Sequence, residues 1–188
     1  MLLRKWFIVL LAMGMLVGCG GQSEELDDAM ELRRMLLQSE CCRFTVEITA
    51  DYNDHISCFE MDCTAEESGN ISFVVTYPDS ISGISGRLAG DGGQIIFDEA
   101  VLFFPYLADD LMSPVSTPWV LLNALRSGFI AYSGKENENI CISIDDLYGD
   151  TTLRVDVCLG ENRLPVQADI LEDGSRILSV NVKKFEIL

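Results

Sequence analysis

The sequence has few of the residues on which catalytic and metal sites usually depend. Its 188 residues include one histidine, His55. A single histidine excludes zinc sites built from several histidines, and no nucleophile-elbow pattern supports a Ser-His-Asp site at His55. No glycine-rich phosphate loop precedes a helix. We therefore expect no enzyme activity, with no catalytic residue, no metal site and no cofactor.

Basic residues are scarce as well, and this limits the partners. The chain has 13 Lys and Arg residues against 30 Asp and Glu residues, a formal net charge of −17. A surface of this sign repels the phosphates of nucleic acids and the headgroups of anionic lipids. We expect no nucleic-acid partner, and attachment to a membrane would need something other than a basic patch.

The sequence also lacks an apolar run long enough to cross a membrane. The longest uncharged apolar stretch, residues 6–17, is shorter than the roughly 20 residues of a transmembrane helix. Arg4 and Lys5 precede it, and the small residues Gly18, Gly20 and Gly21 stand just behind it. A short basic start, a brief apolar run and small residues are typical of a secretory signal.

Four residues at the end of this segment carry a more specific signal. Leu16-Val17-Gly18-Cys19 resembles the lipobox of bacterial lipoproteins. In that family the chain is cut before the cysteine, whose thiol carries a diacylglyceryl group. The resemblance implies a signal peptide over residues 1–18, lipid attachment at Cys19 and a polar tether over residues 19–25. Because two or more acyl chains anchor a protein stably, it also implies a location at the cell membrane, on the extracytoplasmic face.

Two helices are predicted, one at each side of the first run of strands. In residues 24–39, Leu26, Met30, Arg33 and Leu37 follow helical spacing, with acidic residues in the first turn. Residues 113–128 form the second helical segment. Thr117 is the expected cap and Pro118 suits the first turn. Gly128 is expected to close the helix.

Most of the remaining chain alternates between apolar and polar residues with a period of two, which predicts strands. A turn at residues 53–54 and a three-residue loop with a bulge at residues 173–175 define two hairpins. Apolar residues then face apolar residues, whereas a slip of one residue would reverse the faces. The pairs are Phe44 with Cys63, Val46 with Met61, Ile48 with Phe59, Ile170 with Leu178, and Ala168 with Val180.

These elements predict an α+β fold that is mainly antiparallel β. About nine to eleven strands are too many for a flat two-layer sheet in a chain of this length. We therefore expect a strongly curled half-barrel sheet that covers an N-terminal helix and a mid-chain helical insert. No linker divides residues 26–188, which are expected to form a single domain.

The order of these elements is similar to that of the LolA/LolB-like lipoprotein-carrier superfamily. The matching pieces are residues 24–39, 43–64, 113–128 and 152–188. The resemblance implies a half-open barrel with an apolar cavity between sheet and helices, which binds or carries a lipid, acyl chain or other apolar ligand. The residues expected to line the cavity are Val46, Ile48, Phe73, Phe104, Trp119, Leu122 and Leu125.

An alternative interpretation needs no cavity. Apolar stripes of this kind usually just pack in a core. The chain would then be an envelope or surface protein-interaction module with a solid core, no ligand and an unknown protein partner. A large exposed apolar patch would favour this alternative.

The cysteines leave two possibilities open. An exported chain permits disulfides, and the predicted register makes Cys42 a diagonal neighbour of Cys63 on one face. Cys141 and Cys158 come close on the other face if their strands pair. Free thiols are the alternative, and pairing among the six cysteines after Cys19 cannot be read from sequence alone.

Overall fold

The computed structural model describes residues 24–52, 55–98, 100–108, 111–148 and 151–188. The predicted signal peptide, Cys19 and residues 20–23 of the tether lie outside these described residues. The first helix begins at Glu24, so residues 24 and 25 of the tether are helical. In the described ranges, no helix is both long enough and apolar enough to cross a membrane.

Two helices divide the strands into two series, one between the helices and one after the second helix. The elements in chain order are α1 (Glu24–Gln38), β1 (Cys41–Tyr52), β2 (His55–Glu66), β3 (Ile71–Tyr77), β4 (Ser85–Ala89), β5 (Gly92–Phe97), β6 (Ala100–Phe104), β7 (Leu107–Ala108), β8 (Leu111–Met112), a 3-10 helix (Pro114–Ser116), α2 (Thr117–Ser127), β9 (Phe129–Glu136), β10 (Asn139–Tyr148), β11 (Thr151–Leu159), β12 (Pro165–Glu172) and β13 (Ser175–Ile187).

One antiparallel sheet of eleven strands dominates the fold. Its strand order is β6-β5-β4-β3-β2-β1-β13-β12-β11-β10-β9, and β7 and β8 form a separate small pair. The two series of hairpins therefore join at the centre of the sheet, where β1 pairs with β13. Since β6 and β9 end the order without pairing to each other, the sheet is open. The α+β class and the half-barrel prediction are confirmed.

Both predicted hairpin registers are confirmed. Strands β1 and β2 pair with the predicted partners, including Phe44 opposite Cys63. In the second hairpin, Ile170 lies opposite Leu178. The loop itself differs from the prediction, because β12 ends at Glu172 and β13 begins at Ser175. The two turn residues, Asp173 and Gly174, have positive φ. A register shift between Ile170 and Leu171 then brings the apolar residues of the two strands onto one face.

Helix α1 covers the concave face with one of its two adjoining apolar stripes. It packs against α2, β9 and β10. Its buried apolar residues are Ala29, Leu32 and Leu36, whereas Met30 and Leu37 are exposed. The predicted helix is present, and Met30 and Leu37, which showed its spacing in the sequence, lie on its exposed side. Helical spacing alone cannot fix which of two adjoining apolar stripes faces the sheet.

Helix α2 crosses the concave face between the two ends of the sheet. The 3-10 helix leads into it, so Ser116 occupies the cap position instead of Thr117. The Thr117 hydroxyl donates to the Pro114 carbonyl at 2.6 Å. Gly128 ends the helix with an extended backbone (φ −64°) and not with the left-handed cap that glycine suggested. Glycine is needed there because a Cβ would lie 2.4 Å from Ile144 Cγ2.

Gly86 on β4 provides a test of how tightly the concave face is packed. A Cβ at this position would lie 2.2 Å from the Gln94 carbonyl oxygen and 2.5 Å from the buried Phe73 ring. We expect Gly86→Ala to lower the free energy of unfolding by about 1–3 kcal/mol, the usual cost of overpacking. Urea denaturation measures the change. Gly90→Ala is the matched control, because its Cβ would meet nothing within 4 Å; equal stability of the two variants would contradict the packing argument.

Candidate functional site

The residues predicted to line an interior cavity lie in a packed core. Val46, Ile48, Phe73, Leu122 and Leu125 are each exposed by 3% or less. Val46, Ile48, Phe73 and Leu125 line none of the hollows described below, whereas Leu122 reaches one of them. These five residues belong to the single apolar cluster between the sheet and the helices. Phe104 and Trp119 are partly buried at the margin of that cluster.

A hollow of about 280 Å³ lies outside the core, where α2 meets the loop between β2 and β3. Two of the predicted ligand residues, Trp119 and Leu122, contribute to its wall. The remaining lining is a mixture of apolar, polar and cationic groups. The lining residues are Leu37, Ser68, Gly69, Asn70, Gly90, Trp119, Leu122, Asn123, Arg126 and Ser127.

A second hollow of about 280 Å³ adjoins the first across Gly90, which lines both. Its other lining residues are Asp91, Gly92, Pro105, Tyr106, Leu107 and Tyr148. We call the two hollows together the rim groove. The groove follows the rim of the half-barrel around the turn between β4 and β5.

Three aromatic rings separate the two halves of the rim groove. The Trp119 ring lies between Tyr106, with centroids 4.6 Å apart, and Tyr148, with centroids 6.0 Å apart. Such contacts add stability beyond the burial of apolar area. Because the rings support each other, they form a fixed apolar wall.

Hydrogen bonds hold the two tyrosines of this wall. The Tyr148 hydroxyl donates to Asp146 Oδ2 at 2.9 Å, and Asn123 Nδ2 donates to the same oxygen at 2.8 Å. The Tyr106 hydroxyl donates to the Ala89 carbonyl. Burial raises the pKa of both phenols, and the nearby Asp146 carboxylate raises that of Tyr148 further. Both hydroxyls therefore stay protonated and remain donors at neutral pH.

Arg126 is the cation of the rim groove. Its Nη2 donates to the Glu67 carbonyl at 2.8 Å. Within the described residues it has no carboxylate close enough for an ion pair, whereas the other arginines mostly do. Those paired with a carboxylate are Arg34, Arg87, Arg154, Arg163 and Arg176. In a chain of net charge −17, Arg126 gives the groove a local positive charge that an anionic group could neutralise.

Arg126 and Asn123 were not among the predicted site residues, although the sequence holds a signal for one of them. Trp119, Leu122 and Arg126 are spaced three and four residues apart, so they lie on one face of α2. That spacing could have linked the arginine to the two predicted ligand residues. Nothing comparable marks Asn123, whose role depends on Asp146 of a distant strand.

The six cysteines in the described ranges divide into one disulfide and four free thiols. Cys141 and Cys158 lie opposite each other on β10 and β11 and are joined by a disulfide. Their sulfurs lie close to the Glu136 carboxylate, but a disulfide leaves no thiolate to bind a metal. Cys42 and Cys63 are free and buried. Cys42 faces Ala65 and Cys63 faces Phe44, and such diagonal neighbours are about 7–8 Å apart at Cα, too far for a bridge.

A second unusual surface lies at the end of the sheet formed by β5 and β6. Val101, Leu102 and Phe103 of β6 are exposed by 50%, 64% and 76%. Ile96 and Phe97 of β5 are also exposed. We call these five residues the apolar corner. None of them lines the rim groove, but Phe103 lines a further hollow of about 430 Å³ that shares Asp91, Gly92 and Pro105 with the groove, so the two surfaces adjoin.

No family model and no curated protein matches the chain. A LolA superfamily protein from Nitrosomonas europaea is 7% identical, with a TM-score of 0.48 over 85% of this chain and 93% of that one. A domain assigned as an outer membrane lipoprotein-sorting protein from Vibrio parahaemolyticus is 12% identical, with a TM-score of 0.48 over 86% and 91%. The lipoprotein LppX from Mycobacterium tuberculosis is 15% identical, with a TM-score of 0.41 over 86% and 92%. At these TM-scores the likeness carries no conclusion about function.

Thiol labelling tests the assignment of the cysteines. Burial raises the pKa of Cys42 and Cys63, so both are un-ionised and inaccessible, whereas Cys58 is exposed. In native protein without reductant, we expect a maleimide to label Cys58 quickly and to leave Cys42 and Cys63 unmodified. Unfolding should release both, and Cys141 and Cys158 should react only after reduction. Peptide mass spectrometry identifies the labelled sites, and fast native labelling of Cys63 would contradict the packed interior.

Proposed function

We propose that the chain is a membrane-anchored exported lipoprotein that binds an amphipathic lipid or acyl ligand in the rim groove. The observation that carries this proposal is Arg126, a cation without an ion pair among the described residues, beside the apolar wall around Trp119. An apolar chain would contact Trp119 and Leu122, and an anionic head would contact the guanidinium. Sites for small molecules commonly combine mostly apolar walls with a few placed polar groups.

The size of the groove bears on how a ligand would bind. Each hollow, at about 280 Å³, is near the lower limit of ligand sites, roughly 300 Å³. A head group would occupy the hollow beside Arg126, and the chain would continue past Gly90 along the wall of Tyr106 and Tyr148. Gly90 leaves open space at the junction, since no atom lies within 4 Å of where its Cβ would be.

The position of α1 supports access from a membrane. Asp28, in the first turns of α1, pairs with Arg163 at 2.7 Å, and Arg163 lies in the loop before β12. Because β4 and β12 run in opposite directions in the sheet, the start of β12 and the end of β4 lie at the same end of the strands. An anchor at Cys19 would therefore enter the molecule from the end where the rim groove lies.

The alternative of a protein-interaction module is favoured by one observation, the apolar corner. The corner lies at the free side of β6, and only its Phe103 borders a hollow that shares residues with the rim groove. The two functions use different residues, so they are compatible in one molecule.

Arg126→Gln tests the anionic head group. In polypeptide 20–188 Trp119 is the only tryptophan, so its fluorescence reports binding of dodecanoate or of the uncharged dodecanol. We expect the variant to bind dodecanoate roughly tenfold more weakly, since a hydrogen bond to a charged group contributes about 1.5 kcal/mol or more. Binding of dodecanol should change little.

The matched control is Arg154→Gln, which removes an arginine paired with Asp145 away from the groove. It should leave both affinities unchanged. Failure of dodecanoate to bind the unaltered chain would refute the ligand proposal. Equal weakening by the two variants would show that net charge, and not the groove, governs the binding.

Cys19→Ser tests the anchor. Without the thiol no diacylglyceryl group can be attached, so we expect the protein to leave the membrane fraction while its thermal unfolding stays unchanged. Immunoblots of membrane and soluble fractions measure the distribution. Cys58→Ser, which removes an exposed thiol of the folded domain, should remain in the membrane. Retention of Cys19→Ser in the membrane would overturn the anchor.

A further inference from the structure

The two ends of the sheet differ in how they are protected. In β6, the five residues Ala100–Phe104 contain no charge and no proline, and among the described residues their backbone pairs on one side only, with β5. In β9, a register shift against β10 disrupts the edge, and Lys135 and Glu136 place charges at its end. Bulges and charges are the usual means by which proteins keep an edge strand from pairing with another chain. Strand β6 has neither.

Both faces of β6 are apolar. Register places Leu102 in line with Ile95, Gly86 and the buried Phe73, so it points to the concave side. Val101 and Phe103 point to the convex side. Helix α2 covers the concave side of the central strands but leaves Leu102 exposed. A surface strand normally has a polar face, and β6 has none, so its side chains do not oppose pairing with another apolar strand at this edge.

We propose that a second copy of this chain covers it, with β6 of each copy pairing antiparallel to β6 of the other. A two-fold axis at Leu102 sets Leu102 opposite its counterpart and Val101 opposite Phe103 of the partner. Ala100 lies opposite Phe104. Each pair is apolar, and cross-strand pairs of this kind stabilise a sheet. The arrangement is closed, because each copy uses the same edge.

Charge favours this site for self-association. Two copies of net charge −17 repel each other over most of their surfaces. Strands β5 and β6 carry no charged residue, so pairing here brings no carboxylates of these strands together. A membrane is a poorer occupant, since the turn between β5 and β6 carries Asp98 and charged groups resist transfer into lipid.

The pairing makes contacts along the whole of β6. Each of the exposed side chains Val101, Leu102 and Phe103 lies beside an apolar side chain of the partner strand. Pairing of the unpaired backbone groups along β6 adds hydrogen bonds to these contacts. Pairing β6 to β9 would instead be a head-to-tail contact, which forms a ring or an open chain of molecules and not a closed pair.

Cross-linking in membranes tests the dimer on the full anchored protein. Leu102→Cys places a thiol beside its counterpart, and Leu147→Cys is the control, with a similar exposure of 68% on β10. Both are made in a Cys58→Ser background, which removes the exposed native thiol. With a short bis-maleimide, we expect roughly tenfold more covalent dimer from Leu102→Cys, whose partners lie within the distance of a cross-strand pair.

Phe103→Lys supplies the second variant. Phe103 is largely exposed, so the fold should be unaffected, as checked by thermal unfolding. A lysine opposite Val101 of the partner should reduce the Leu102→Cys dimer severalfold. Equal cross-linking at positions 102 and 147, or a dimer indifferent to Phe103→Lys, would overturn the proposal. A product at position 102 with the mass of another protein would assign the edge to a different partner and equally overturn it.

Discussion

The pairing of β1 with β13 is the constraint on which the rest of the structure depends. It is the only sheet contact between the two series of hairpins in the described residues. Phe44 stacks on Phe185 across it, with ring centroids 5.4 Å apart. On the convex face, Lys183 of β13 contacts Glu47 of β1 and Glu60 of β2, which raises the pKa of the lysine. Exposed ion pairs contribute little stability, so apolar burial does most of the joining.

Because that pairing lies at the centre, both sheet edges come from the middle of the chain, and α2 must cross the concave face to connect them. Arg33 of α1 fixes this crossing. Its guanidinium donates to the carbonyls of Leu125, at 2.9 Å, and Gly128, at 2.7 Å, which are acceptors left over at the end of α2. Burial lowers the pKa of Arg33, but an arginine remains charged at neutral pH. One cation thus caps α2 and joins the two helices.

The sequence was sufficient to predict those parts of the fold that follow from local rules. Alternation and turn residues gave the registers of two hairpins, since Phe44 can face Cys63 only if both strands keep their apolar faces inward. The buried stripe of α1 could not be predicted, because Leu32 and Leu37 are equally apolar and only packing distinguishes them. Arg126 was missed for a related reason. Its importance comes from the absence of a nearby carboxylate, which is a property of the folded surface.

The filled interior and the two proposed surfaces have one physical origin. A curled sheet of eleven strands offers more concave area than one helix covers, and two helices packed against it leave little space between. The surfaces left open then lie where the helices end, at the rim beside Trp119, or where the sheet extends beyond them, at Leu102. The order of the elements therefore does not fix where an open surface lies. Its place depends on how completely side chains such as Leu121 and Leu125 fill the concave face, and both are buried.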